Sequence, residues 1–280
     1  YFWENTMKKF QDLTFSDHYM FEKVLQNKDI CKQLLERLLK IKIEKLEFPE
    51  LEKEISPYYE TRGVRLDVYI KDSDQVFDIE LQNYTELNLP LRTRYYQSML
   101  DIDNLIKGQH YSELPTSFIL FICTFDPFKQ ELPIYTFVSK CLESSSLILE
   151  DKATKKFFNA KAYNKEEDVE IKAFLEYICK QEPVDAFTKE IHSLVHKIKL
   201  QEQNKKEYET MNIHDQDTFY RGKKEGIQEG IQQGIQEKAI ETARKLLAMG
   251  LTFKQVAEGT DLPLETVEEI AKNLLPKESL

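Results

Sequence analysis

Arg65-Leu66-Asp67-Val68-Tyr69-Ile70, a polar link from Lys71 to Gln75, and then Val76-Phe77-Asp78-Ile79-Glu80-Leu81-Gln82 form the stretch from which the fold is read. Both runs alternate. In a strand, residues i, i+2 and i+4 share a face, so Asp78, Glu80 and Gln82 line one side of the second run and Phe77, Ile79 and Leu81 the other. In the first run Arg65, Asp67 and Tyr69 lie opposite Leu66, Val68 and Ile70. The link Lys71-Asp72-Ser73-Asp74-Gln75 is short and rich in turn formers, which predicts a hairpin. Pairing its strands brings Asp67 to Glu80, with Gln82 nearby and Asp78 a same-face neighbour without an assigned role. Two carboxylates on rigid strands suit a hard divalent cation.

Acidic residues on a hairpin face are commonly just solvated. Three features argue for chemistry here. Apolar residues flank Glu80, which predicts a central strand. The aligned Asp and Glu put together charge that calls for a cation. A basic, aromatic helix then follows, carrying Arg92, Arg94, Tyr95, Tyr96 and Gln97, and cationic side chains beside a metal–carboxylate pair suit work on a phosphate backbone.

Outward from the hairpin, Asp12 to Asp17 leads into a helix with Ser16 or Asp17 as N-cap. A second helix over 30–39 carries Leu34, Leu35, Leu38 and Leu39 as an apolar stripe. Ile41, Ile43, Leu46 and Phe48 predict a strand, and 50–60, acidic and broken by Pro57, a loop or irregular edge. After a polar connector comes a helix over 92–107 closed by Gly108. The near-continuously apolar 118–123 then reads as a buried strand. Further strands are expected at 135–138, 147–149 and 157–160, and helices over 167–181 and 184–209. The order predicts an α/β fold, a mixed sheet flanked by helices, with a helical C-terminal tail. The expected division is 1–185 for the sheet domain, 186–250 for a charged helical and glycine-repeat region, and 251–280 for a helix-turn-helix-like hairpin.

In the tail, Gly222, Gly226, Gly230 and Gly234 recur every four residues, with Ile227, Ile231 and Ile235 in step. No strand precedes them and no Gly-Lys-Ser/Thr closes them, which excludes a phosphate loop. Glycine costs about 1 kcal/mol per helix-interior site, so close approach to another helix, and hence a dimer contact, is one reading and a helical connector the other. In the final hairpin Val256, Ala257, Leu262, Val267 and Ile270 sit where a helix-turn-helix buries its core. The would-be reading helix carries Glu265, Glu268 and Glu269, which phosphates would repel, so docking or oligomerisation is expected.

The 280 residues carry a formal net charge of −10, which speaks against a general nucleic-acid-coating protein but leaves room for a local basic groove. With 41% hydrophobic and 31% charged residues a packed core is possible. No apolar run nears the ~20 residues of a membrane span. Tyr1-Phe2-Trp3 runs into charged sequence, which predicts no signal peptide. The four cysteines, Cys31, Cys123, Cys141 and Cys179, share no CxxC spacing and fit a reducing cytoplasm rather than a zinc site or disulfides. His192 and His196 share a helix face but lack a third ligand.

The motifs Leu66-Asp67-Val68, Phe77-Asp78-Ile79-Glu80-Leu81-Gln82 and Arg94-Tyr95-Tyr96 together resemble the PD-(D/E)XK nuclease superfamily, specifically its Rpn branch of recombination-promoting nucleases, also known as PD-(D/E)XK family transposases. The segments Asp17 to Phe21, Gly108-Gln109-His110-Tyr111 and Ile119 to Phe128, and the glycine-rich tail, extend the likeness over nearly the whole chain. The resemblance implies a restriction-endonuclease-like core that hydrolyses DNA phosphodiesters with a divalent metal such as Mg²⁺. Asp67 and Glu80 would hold the ion, with the Leu81 carbonyl, and Glu36 or Asp17 would complete the site. Gln82 stands where many members have Lys; it offers only hydrogen bonds, leaving more of the work to the metal. Arg92, Arg94 and Gln97 are the candidate phosphate contacts. DNA, homodimers or higher homo-oligomers through the C-terminal helices, and no membrane are the expected partners. The alternative is a catalytically silent relative that binds DNA or a protein.

Overall fold

The computed structural model describes residues 8–47, 49–56, 63–85 and 88–274; at 212–229, 232–233 and 273–274 it describes the backbone alone. The chain forms two units that meet in sequence at Tyr208 and Glu209.

The first unit is built on a six-stranded mixed sheet. Helices α1 (His18–Leu25) and α2 (Lys28–Leu39) precede strands β1 (Glu50–Ile55), β2 (Val64–Asp72) and β3 (Gln75–Gln82). Helix α3 (Leu89–Asn104) crosses to β4 (Thr116–Cys123), and β5 (Ile134–Phe137), β6 (Ala153–Asn159), α4 (Val169–Lys180) and α5 (Ala186–Lys199) follow. The spatial order is β1-β2-β3-β4-β6-β5. β3 is central, antiparallel to β2 and parallel to β4. From Val76 to Gln82 every residue of β3 is buried, which only helices on both faces can bring about.

Alternation along β3 decides what meets each face. Asp78, Glu80 and Gln82 align with Ile119, Phe121 and Cys123 of β4. That face carries α3, whose Leu89, Tyr96, Met99 and Leu100 join Ile119, Phe121, Cys123 and Phe157 in one cluster. Phe77, Ile79 and Leu81 point the other way, toward the layer of α1, α2, α4 and α5. Phe15 organises that layer, with ring centroids 5.3 Å from Phe21, 6.2 Å from Phe174 and 6.0 Å from Tyr177. Asn27 caps α2 by accepting from Asp29 N and Ile30 N, and Asp168 and Asp185 cap α4 and α5.

Four expectations change. Residues 41–47 form no strand: Ile43 and Leu46 are both buried, but three apart they cannot share a strand face, and Leu46 makes a lone bridge to Asp72. Phe48 and Pro57 lie outside the described residues. Residues 50–55, expected as a loop or irregular edge, are the regular edge strand β1, whose exposed Glu50 and Glu54 guard the edge. Residues 147–149 give a single bridge, Lys140 to Ile148. The helix expected over 184–209 breaks after Lys199, and α5 packs on α1 and α4 within the first unit.

The second unit holds most of helix α6 (Glu202–Ala248), with α7 (Phe253–Thr260) and α8 (Leu264–Leu274). Ala243, Val256, Val267 and Ile270 are its core, joined by Leu246, Leu251, Ala257 and Leu262, as the helix-turn-helix pattern predicts. Gly230 and Gly234 border open space and Ile231 and Ile235 beside them are exposed. The side chain of Ile227 lies outside the described residues.

Candidate active site

The site is a fork in the sheet. Val68 pairs with Ile79 and Tyr69 with Asp78, but beyond that point β2 pairs with β1 and β3 with β4. Asp67 is the one β2 residue that belongs to neither ladder, and on its other side Glu52 of β1 has a left-handed backbone, φ 49°. Two carboxylates facing each other across a closed ladder would repel. Here each takes a main-chain N–H of the other strand instead. Asp67 N donates to Glu80 Oε1 at 2.9 Å, and Leu81 N donates to Asp67 Oδ2 at 3.0 Å. Amides left without ladder partners are thereby satisfied by the acids themselves.

Glu80 is fully buried, and its second oxygen accepts from the Arg92 guanidinium of α3. Arg92 also donates to Gln82 Oε1 at 3.0 Å, and Gln82 Nε2 donates to Tyr84 O at 2.9 Å. Burial, then the Asp67 charge, holds the Glu80 carboxyl above its ordinary range, with Arg92 opposing. Asp78 is also fully buried, and neither of its oxygens makes a hydrogen bond among the described residues. Burial first, and the charges of Glu80 and Asp67 next, push it well above a normal carboxylate.

Asp67 meets the opposite layer. His18 Nδ1 of α1 lies 3.5 Å from Asp67 Oδ2, and that contact raises the imidazole's pKa. One helical turn on, Glu22 is buried among Glu52, Asp67, His18 and Arg65. Burial, then Glu52 and Asp67, push its carboxyl up to about 8. The pair is thus joined through the fork, Asp67 reaching α1 and Glu80 reaching α3, rather than lying side by side on one face. Leu66 and Tyr69, three apart yet in the same α3-side cluster, mark where alternation breaks.

The other expected residues lie elsewhere. Asp17 holds Lys8 and the Thr14 backbone at the start of α1, and Glu36 accepts from Ile43 N beyond α2. Neither is brought to the pair. Gln97 donates to Asp101 and Ser117 between α3 and the sheet. Arg94 stands exposed on α3. Glu22 and His18 were missed, although their i,i+4 spacing beside the apolar stripe of α1 was legible as a shared face.

Among the described residues no group of three or more His, Cys, Asp or Glu side chains already converges as an ion cage. The donor set nonetheless fits a hard divalent cation. Its oxygens are carboxylates, and beyond the effect of burial the charges of Glu52 and Asp67 on Glu22, and of Asp67 on Glu80, are ones that a cation would relieve.

A family model for PD-(D/E)XK nuclease family transposases matches residues 9–227. The chain belongs to that family. The mixed sheet flanked by helices is accordingly a restriction-endonuclease-like fold, and membership implies a nuclease-like, hydrolytic function. PD-(D/E)XK nucleases generally use divalent metal ions and act on DNA. No curated protein and no solved structure gives a significant match. Among the described residues, no helix is long and apolar enough to cross a membrane.

Proposed function

We propose that this chain is a Mg²⁺-dependent DNA endonuclease in which Asp67 and Glu80 hold the ion, with the Leu81 main chain beside them and Glu22 as the acid from the first helices. The observation that carries it is the fork, where a central ladder opens and two carboxylates are fastened to each other's strand. A bound divalent ion supplies a water of lowered pKa and stabilises charge developing on the scissile phosphate. The protein's part is positional. Leu81 N and His18 hold the Asp67 carboxylate, Asp67 N and Arg92 hold Glu80, and both acids are locked before any ligand arrives. His18 is within reach to carry a proton beside Asp67. Arg94, exposed on the helix that covers the site, would take a backbone phosphate. Four free cysteines support a reducing, cytoplasmic setting. The exposed Ile231 and Ile235 beside Gly230 and Gly234 support self-association of the second unit.

The test is nicking of supercoiled plasmid with Mg²⁺ or EDTA. The parent should give chelator-sensitive nicking, and Asp67→Asn and Glu80→Gln should reduce it to background with circular dichroism unchanged. Both variants nicking like the parent would overturn the assignment. Gln82, with both ends of its amide engaged, favours a second reading, the silent relative that binds DNA or a protein. Absence of chelator-sensitive cleavage by the parent at every concentration decides for it.

A further inference from the structure

Among the described residues, the Arg92 guanidinium bonds three side chains. Its Nη2 donates to Glu80, its Nη1 to Gln82 Oε1 at 3.0 Å and its Nε to Tyr96 Oη at 2.9 Å. The guanidinium carbon lies 4.9 Å from the Tyr96 ring centre and 5.6 Å from that of Phe121, the register partner of Glu80 on β4. A planar fork that spans acceptors on alternate residues of one strand is oriented in advance, and it cannot lose its charge at working pH. Gln82 brings no charge of its own. It is buried, its Nε2 is bonded to Tyr84 O, and its Oε1 faces the guanidinium. A cation at position 82 would therefore project from β3 to the point that Arg92 reaches from α3. One positive charge fits there, and two would repel each other where water is scarce.

We propose that Arg92 is the charge-bearing positioning residue of the active site, acting through Glu80 and Gln82, and that its charge can be delivered equally from β3 at position 82. The inference deepens the nuclease reading and rests on it. It reassigns Arg92 from a phosphate contact of the DNA groove to the carboxylate site itself. It also makes substitutions at 82 and 92 interdependent in sign, which independent packing positions are not.

Four proteins test this: the parent, Arg92→Gln, Gln82→Lys and the double variant. Two readouts are taken, Mg²⁺-dependent plasmid nicking and the thermal shift produced by Mn²⁺ without DNA. Arg92→Gln should lose about 10-fold to 100-fold in nicking, the range for groups that orient metal ligands. It should also show a larger Mn²⁺ shift than the parent, because the ion then supplies the missing charge. Gln82→Lys alone should lose activity through repulsion. The double variant should recover to within a few-fold of the parent and regain the parental shift. A double variant no better than Arg92→Gln, or a Gln82→Lys protein indistinguishable from the parent, would show that Arg92 only packs. If Arg92→Gln does not fold, the uncharged Arg92→Met replaces it, and failure of Gln82→Lys to improve on that variant counts against the proposal. Asp67→Asn run alongside separates the two failures: parental nicking by that variant sinks the nuclease reading, whereas the Mn²⁺ shifts still judge Arg92.

Discussion

Glu22→Gln should flatten the pH dependence of stability. Glu22 is 8% exposed, and burial, followed by the Glu52 and Asp67 charges, raises its carboxyl from an ordinary 4.5 to about 8. A carboxyl whose pKa is higher in the folded chain favours folding in its protonated form. Its contribution is fully present below about pH 4.5 and is lost as the pH rises through about 8. At about 1.4 kcal/mol per pH unit, the gap sets a ceiling of about 5 kcal/mol. An effective dielectric near 20 even at buried sites brings the expectation to about 2–3 kcal/mol. Urea titrations in EDTA at pH 5 and pH 8.5 measure it. Parent and variant should differ by no more than about 1 kcal/mol at pH 5, where the folded carboxyl is still neutral, and Glu22→Gln should be clearly the more stable at pH 8.5. Saturating Mg²⁺ should close that difference by stabilising the parent. Stability curves that run parallel from pH 5 to 8.5 would show that Glu22 is not in an uncompensated carboxylate cluster.

Asn27→Ala removes the acceptor for Asp29 N and Ile30 N at the start of α2 and should cost about 1 kcal/mol in chemical unfolding of the first unit. Arg94→Ala should leave stability unchanged, weaken DNA binding across all sequences and lower the slope of log affinity against log salt by about 1 in fluorescence anisotropy. Ile231→Glu with Ile235→Glu should reduce the mass seen by light scattering, while the helical circular dichroism stays at the parental level, since both side chains are exposed.

Strict alternation in 65–82 was enough to place the hairpin, and the run of apolar residues at 118–123 enough to place the parallel strand beside it, because burial on both faces writes itself into composition. The C-terminal core was equally legible, since a 3.6-residue period survives in short helices. β1 was not. Its residues Glu50-Leu51-Glu52-Lys53-Glu54 have the composition of a loop, and only pairing with β2 makes them a strand. An edge strand carries charges for that reason.

Asp67, Glu80 and Gln82 were readable as neighbours because register follows from a hairpin. What joins them was not, since a ladder that opens at Asp67 has no local signature. Glu22 lies 45 positions before Asp67 in the chain, and Arg92 reaches Glu80 from the next helix. Local periodicity tells which side of an element a residue occupies. Which distant charge it meets there depends on how helices settle on the sheet, and burial is what turns that meeting into a raised carboxyl or a fixed guanidinium. The sequence alone therefore determined the central hairpin, the buried strand that follows it in the sheet and the nearness of Asp67, Glu80 and Gln82. The tertiary structure decided the fork, the burial of Glu22 near Asp67 and the guanidinium of Arg92 that holds Glu80.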